Sequence, residues 1–282
     1  MTVGVLGASG FVGRHLAAAL RRRGDTVIAA SLRDPATAAS SCANADTVVN
    51  LAGETIAQRW TPTAKDRIRR SRVAAPRTFL EALAARGTRP SVYISASAIG
   101  YYGTSWEATF TETSPAGDDF LAQVCVDWER EANRAANFGM RVAIVRTGVV
   151  LGSDGGALAR LLPIFRGGAG GIVASGRQWY SWVHIDDVVG IYLAAIDGAG
   201  GALNATAPTP VRNAEFTAAL ARAVHRPAIL PVPAFAIKLL LGDGAIVVTR
   251  GQRVLPERTL AQGYAFQYAA IERAFAQIAK PA

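Results

Sequence analysis

The sequence predicts an α/β protein with a doubly wound parallel sheet and a smaller C-terminal lobe. Over the first 150 residues, short apolar runs alternate with helical patterns. Such alternation is typical of βαβ units, in which helices cover both faces of a parallel sheet. Beyond residue 150 the pattern weakens into glycine-rich loops and short helices. We therefore divide the chain into residues 1–205, with 151–182 contributing to the second lobe, and residues 206–282.

The strands and helices of the first part follow from hydrophobic periodicity. The predicted strands are 2–6, 26–31, 47–51, 91–95 and 141–146, and the predicted helices are 11–23, 62–85 and 118–138. About fifteen residues separate the second strand from "TVVNLAG", which is too few for a helix, a strand and a return. The third strand of the usual order is therefore expected to be short or absent.

The formal charge of +9 makes nucleic acid a candidate partner. The arginines are scattered, however, and the densest groups, "RRR" and "DRIRRSR", lie on predicted helices without interleaved aromatic residues. This distribution favours a solvated basic face that attracts phosphorylated small molecules. We expect a small-molecule substrate and no nucleic acid.

The sequence shows no secretory signal and no apolar run long enough to span a membrane. Its two cysteines, Cys42 and Cys125, belong to no metal-like cluster. We therefore expect reduced thiols, no bound metal, no membrane partner and a cytoplasmic location.

The strongest local motif is "GVLGASGFVGRHL", which joins the first strand to the first helix. Gly7 would permit a tight turn, Gly10 the close approach of a pyrophosphate, and Gly13 the packing of helix on strand. The pyrophosphate would then lie at the positive end of the helix. Because the glycines have a strand before them and a helix after them, they predict dinucleotide binding.

The end of the second strand, "AASLRDP", bears on which dinucleotide is bound. NAD sites usually have an acidic residue there, to bind the ribose 2′-hydroxyl. Ser31 stands at that place, with Arg33 close behind, and both suit a 2′-phosphate. Asp34 lies past the strand and is expected to begin a turn before Pro35. NADP is favoured over NAD.

Several motifs in the right order resemble the extended short-chain dehydrogenase/reductases: "GASGFVGRHL", "VVNLAGE", "YISASAIGYYG", "VRTGVVLG", "WYSWVHIDDVV" and "LNATAPTPV". More narrowly, the chain is similar to the YfcH-like subgroup of the NAD-dependent epimerase/dehydratase family. The segment "GQRVLPERTLAQGYAFQY" of this chain resembles the C-terminal domain of that subgroup. The resemblance covers nearly the whole chain. It implies a Rossmann domain followed by a small lobe that binds substrate, and it allows a homodimer paired through helices 62–85 and 118–138.

The resemblance also assigns roles to individual residues. Ser97 matches the catalytic serine that bonds the reacting oxygen, although both serines of "SASA" could simply end a strand. The expected cofactor contacts are Gly7, Ser9, Gly10, Phe11, Val12, Ser31, Arg33, Leu51, Ala52, Gly53, Ser95 and Thr147. The expected substrate contacts are Tyr102, Gln178 and Trp182.

The usual catalytic pair of this superfamily is missing. Its members use a tyrosine whose pKa is lowered by a lysine four residues later, but here Leu121 and Cys125 occupy those positions. The asparagine of the preceding helix corresponds to Arg72. These replacements, which the subgroup shares, put the ordinary oxidoreductase mechanism in doubt, because hydride transfer at a carbinol needs a proton acceptor.

Two of the replacements each have a structural and a functional interpretation. Cys125 lies on an apolar stripe, where it is either a small buried hydrophobic residue or a thiolate stabilised by Arg72. Arg72 is the only charge on the stripe of Ile68, Ala75, Phe79 and Leu83, so it either binds an anion or extends to water.

Three functional hypotheses follow. The first is an NADP-dependent oxidoreductase, epimerase or dehydratase that acts on a small or nucleotide-linked substrate by an altered proton route, with Ser97, Arg72 and Cys125 as candidate catalytic residues. The second is a non-catalytic NADP-binding sensor or regulatory protein. The third, nucleic-acid binding, is supported by composition alone.

Overall fold

A computed structural model describes residues 1–279 of the chain. The strands are β1 Thr2–Leu6, β2 Thr26–Ala30, β3 Thr47–Asn50, β4 Val92–Ala98, β5 Thr109–Phe110, β6 Arg141–Thr147, β7 Val149–Gly152, β8 Trp179–Tyr180, β9 Trp182–His184, β10 Gly201–Ala205, β11 Val211–Arg212 and β12 Arg253–Val254. Six of them form a parallel sheet in the order β10-β6-β4-β3-β1-β2. The predicted parallel sheet of a Rossmann-type α/β fold is therefore confirmed.

Within residues 1–279, no strand pairs with the outer edge of β2. The chain returns from β2 through one short helix, residues 35–42, and β3 then pairs with the other side of β1. This confirms that the third strand of the usual order is absent. The strand order reverses between β1 and β3. Such a topological switch point is where α/β proteins of this kind bind their ligands.

The α-helices are α1 Phe11–Arg22, α2 Pro35–Cys42, α3 Pro62–Arg72, α4 Ala74–Ala84, α5 Phe120–Asn133, α6 Gly156–Arg166, α7 Ile185–Asp197, α8 Asn213–Ala223, α9 Ala234–Leu241, α10 Ile246–Thr249, α11 Glu257–Ala261 and α12 Ile271–Ile278. Side chains of α1 and α7 pack on one face of the sheet. Those of α2 and α4 pack on the other. Both faces are thus covered, as expected for a doubly wound sheet. No helix among the described residues is long and apolar enough to cross a membrane.

Two predicted helices differ from the observed ones. The helix expected at 62–85 is broken at Val73 into α3 and α4. Pro76 explains the break, because proline has no amide proton to donate to the carbonyl of Arg72 and its ring clashes with that carbonyl. The helix expected at 118–138 begins at Phe120, where the Asp119 side chain caps it by accepting from the Ala122 amide at 2.9 Å.

A separate apolar cluster forms outside the sheet, around Trp182, Phe216 and Phe275. Two buried carboxylates fix the C-terminal segment against the first part of the chain. Asp187 accepts hydrogen bonds from the amides of Gln267 and Tyr268, and a second such carboxylate is described with the site below. The division at residue 205 and the substrate-binding role of the C-terminal lobe stay predictions.

Candidate active site

The loop between β1 and α1 leaves room for a close ligand. Gly7 has φ +84°, and a Cβ on it would lie 3.0 Å from the Ala52 amide nitrogen. A Cβ on Gly13 would lie 2.2 Å from the Gly7 carbonyl oxygen, so this position also requires glycine. Helix α1 begins at Phe11 with no side-chain cap, and Ser9 and Gly10 are exposed. The uncapped amides at the start of a helix fit a pyrophosphate.

The end of β2 lies beside this loop, because the Gly7 amide donates to the Ala30 carbonyl at 3.1 Å. Ser31 and Arg33 are both exposed, and the Ser31 hydroxyl accepts from the Arg33 amide at 3.3 Å. Asp34 is occupied elsewhere: it caps α2 by accepting from the Thr37 amide at 3.1 Å. Asp34 was expected to begin a turn, and it begins a helix instead.

The segment after β3 forms the other wall of the switch point. The buried Asn50 side chain accepts from the Ala52 amide at 3.1 Å and donates to the Tyr93 hydroxyl at 3.1 Å. This pair of bonds holds the backbone of Leu51 and Ala52 against the glycine loop. Asn50 was not among the predicted site residues, and a polar residue ending a strand of "TVVN" is the sequence signal for it.

Arg72 ends α3 with its guanidinium stacked on Gly53. A Cβ on Gly53 would lie 3.0 Å from Arg72 Cζ, so the glycine makes room for the guanidinium. The same group lies 5.1 Å from the Trp128 ring centroid, and its closest hydrogen-bond acceptors, the Ile68 carbonyl and the Ser71 hydroxyl, are both at 3.4 Å. Burial lowers the pKa of Arg72, which the neighbouring Cys125 and Glu54 partly oppose.

Cys125 and Leu121 pack together against Gly100. A Cβ on Gly100 would lie 3.3 Å from Leu121 Cβ and 3.9 Å from Cys125 Sγ. Burial, reinforced by the nearby Glu129 carboxylate, raises the pKa of the Cys125 thiol to about 12. A thiol with that pKa is protonated at neutral pH, so the structure does not favour a thiolate nucleophile at this position. Both cysteines of the chain are free and buried.

Ser97 is part of a buried ion-pair network. Its hydroxyl donates to Glu129 Oε1 at 2.6 Å, and Arg146 forms a bidentate pair with Glu129 at 2.8 and 2.7 Å. The bonds to Glu129 raise the pKa of Arg146 even though burial alone would lower it. Because its proton is donated to Glu129, the Ser97 hydroxyl can offer only lone pairs to a further partner.

The network continues into the C-terminal lobe. Tyr102 accepts from Arg146 at 3.0 Å and donates to Asn204 Oδ1 at 2.7 Å. The buried Glu112, the second carboxylate that fixes the C-terminal segment, accepts from the amides of Asn204 and Arg258, each at 3.0 Å. Burial raises the pKa of Tyr102, so its hydroxyl stays protonated. Sequence reasoning missed Glu129 and Glu112, although Glu129 follows Cys125 by four residues and so lies on the same helical face.

Four other predicted site residues are buried or part-buried in the structure. Ser95 is buried and donates to the carbonyl of the next residue at 2.9 Å, while Thr147 is part-buried at the end of β6. Gln178 and Trp182 are fully buried. The Trp182 indole donates to the Thr209 carbonyl, whereas Gln178 Oε1 has no hydrogen-bond partner among the described residues. Their roles in binding stay predictions.

The C-terminal lobe also carries an arginine–tryptophan cluster that the sequence did not reveal. Arg212 Cζ lies 3.7 Å from the Trp179 ring centroid, Arg253 Cζ 5.4 Å from the same ring, and Arg250 Cζ 5.1 Å from Trp106. Among residues 1–279, none of the three guanidinium groups has a carboxylate within 4.0 Å. Unneutralised guanidinium groups of this kind favour phosphate binding.

Comparisons with known proteins agree with this architecture. The model of the NAD dependent epimerase/dehydratase family matches residues 3–205, and that of a domain of unknown function, DUF1731, matches residues 232–278. The chain belongs to the NAD-dependent epimerase/dehydratase family. This confirms the family inferred from the motifs at that level.

Several relatives align with almost the whole chain. The epimerase family protein SDR39U1 homolog, chloroplastic, of Arabidopsis thaliana is 42% identical over 99% of this chain and 86% of its own length. The epimerase family protein YfhF of Bacillus subtilis is 36% identical over 99% of this chain and 98% of its own. The crystal structure of human epimerase family protein SDR39U1 (isoform 2) with NADPH superposes with a TM-score of 0.93, at 34% identity and 99% coverage of both chains.

Proposed function

We propose that the protein is an NADP-dependent oxidoreductase or epimerase-like enzyme of the short-chain dehydrogenase superfamily, in the YfcH-like subgroup. The glycine cradle with Ser31 and Arg33 beside it is the observation that carries the proposal. The human relative crystallised with NADPH supports the choice of cofactor. NAD lacks the 2′-phosphate, so a bound NAD would leave the exposed Arg33 without an anionic partner.

Each part of the cofactor has residues that fit it. The amides at the start of α1 and the backbone of Ser9 and Gly10 would hold the pyrophosphate. Ser31 and Arg33 would hold the 2′-phosphate, and the segment Leu51–Gly53 would border the ribose and nicotinamide. When bound, the dinucleotide supplies or accepts a hydride at the sheet edge, where β3, β4 and β6 end.

The altered proton route centres on Ser97. Since the Ser97 hydroxyl donates its hydrogen bond to Glu129, its oxygen would accept a hydrogen bond from a substrate hydroxyl and thereby orient it. Cys125 stays a neutral thiol and has no step to perform in this scheme. The hydroxyl proton would pass to a solvent water molecule, since Leu121 stands where a tyrosine would accept it.

The arginine–tryptophan cluster supports a phosphorylated or nucleotide-linked substrate over a neutral one. Arg212, Arg250 and Arg253 place three positive charges on the C-terminal lobe, with no carboxylate of residues 1–279 within salt-bridge distance. A phosphate group would neutralise them through charge-assisted hydrogen bonds. The same cluster would account for part of the attraction for anions predicted from the charge of +9.

The cofactor assignment is tested by Arg33→Ala. The variant should bind NADPH more weakly by about 1.5–3 kcal/mol, because one charged hydrogen bond is lost, and should bind NADH unchanged. Calorimetric titration of both dinucleotides into wild type and variant measures this. Arg86→Ala, a second exposed arginine, is the control. Equal affinity of the wild type for NADPH and NADH would contradict the proposal.

A second candidate function is a non-catalytic NADP-binding sensor. The observation in its favour is that Leu121 and a protonated Cys125 fill the positions of the catalytic pair. Substrate screening with NADPH absorbance as the readout separates the two functions. Any turnover that Ser97→Ala reduces would favour the enzyme, and tight NADPH binding without turnover would favour the sensor.

A further inference from the structure

Arg72 differs from the three other arginines of its helix. Arg67, Arg69 and Arg70 each lie within 4.0 Å of a carboxylate, contributed by Glu54, Asp127 and Asp66 respectively. Those three side chains are at least half exposed, so water alone could solvate them. Arg72 is part-buried, and no carboxylate in residues 1–279 lies within that distance. The helix therefore pairs its exposed cations and leaves its part-buried cation without an anion.

The surroundings of Arg72 leave hydrogen-bond donors unsatisfied. Its two protein acceptors are at 3.4 Å, which is beyond the usual range for such bonds. The neighbouring Trp128 has a buried indole N–H with no acceptor among the described residues. A desolvated cation and an orphaned N–H are both costly unless something binds them. Gly53 is exposed, so a ligand can approach the guanidinium from that side.

The cofactor already has receptors for its own anions. The pyrophosphate fits the start of α1, and the 2′-phosphate fits Ser31 and Arg33. Arg72 lies elsewhere, between Gly53, in the segment after β3, and helix α5, which carries Leu121 and Cys125 in place of the usual catalytic pair. Because the segment Leu51–Gly53 would border the nicotinamide, an anion bound to Arg72 would lie on the nicotinamide side of the site, apart from the phosphates of the cofactor.

We infer that Arg72 binds a carboxylate of the substrate, next to the carbon that exchanges hydride. The inference rests on the proposed function. One guanidinium offers one positive charge and two parallel N–H donors, which match the charge and the two oxygens of a carboxylate. A phosphate ester would bring about two negative charges to a place with a single cation, and the arginine–tryptophan cluster is the better receptor for it.

Matched probes that differ in charge, and otherwise only by one methyl group, test this inference. The NADP⁺-saturated protein is titrated with pyruvate and with its neutral methyl ester, and with phenylglyoxylate and its methyl ester, while ligand-detected NMR reports binding. The wild type should bind each acid at least about tenfold more tightly than its ester. Arg72→Leu should abolish that preference, and Arg72→Lys should keep part of it. Arg70→Leu, on the exposed face of the same helix, should keep all of it.

Each outcome has one meaning. Loss of the acid preference in Arg72→Leu alone, with NADP⁺ affinity unchanged within about threefold, supports the inference. No acid preference in the wild type, or the same preference in Arg72→Leu, overturns it. A tenfold or larger loss of NADP⁺ affinity in Arg72→Leu also overturns it, because the guanidinium would then serve the cofactor. Absence of NADP⁺ binding by the wild type would instead overturn the proposed function.

Discussion

Two arginines reach helix α5 from different elements, and their environments are opposite. Arg146, from β6, makes a bidentate ion pair with Glu129 and a further bond to Tyr102. Arg72, from α3, contacts an aromatic ring and two distant acceptors and has no carboxylate partner among the described residues. The two arginines thus have different roles in this protein. Arg146 is neutralised by the protein and joins its parts, whereas Arg72 is left for a ligand.

The largest effect is expected from breaking the pair of Arg146. Glu129→Ala should lower the free energy of unfolding by about 3–5 kcal/mol, because it leaves the buried guanidinium without a counter-ion. Urea unfolding followed by circular dichroism measures the change. Glu272→Ala, which removes the exposed partner of Arg222, should have no measurable effect. Equal stability of the two variants would show that Arg146 needs no partner.

A smaller effect is expected from the serine that shares Glu129. Ser97→Ala should cost about 1.5–3 kcal/mol, since one hydrogen bond to a buried carboxylate is lost while the bidentate arginine remains. Ser95→Ala is the matched control, because among the described residues its hydroxyl bonds only the neighbouring Ala96 carbonyl. The same unfolding measurement ranks the two. A smaller loss for Ser97→Ala than for Ser95→Ala would remove Ser97 from the network.

Much of the fold could be predicted because its signals are local. Runs such as "TVGVL" and "TVVN" are short, apolar and rich in β-branched residues, and they became β1 and β3. The spacing between β2 and β3 was enough to predict that the further strand is short or absent. The break at Val73 was missed because the apolar stripe of Ile68, Ala75 and Phe79 continues in helical register across it, while the cause, Pro76, acts on the backbone.

The site was predictable only where it depends on the backbone. The glycine cradle could be predicted from spacing, because Gly7, Gly10 and Gly13 lie within one strand–turn–helix segment of the chain. The partner of Ser97 could not be found in this way. Glu129 lies 32 residues later and Arg146 a further 17, and only the packing of α5 on β4 and β6 brings the three together. Long-range contacts of this kind leave no periodic signal.

The most direct test of the contrast between the two arginines is the stability of Arg72→Leu without any ligand. Urea unfolding of this variant, in the absence of dinucleotide and of added carboxylates, should give a free energy of unfolding within about 1 kcal/mol of wild type or above it. The variant loses the contact with Trp128, which is worth about 2 kcal/mol for a desolvated cation, and two long hydrogen bonds. This loss is offset because the buried cation no longer has to be desolvated. A loss of more than about 2 kcal/mol would contradict the account, because Arg72 would then stabilise the fold as Arg146 does.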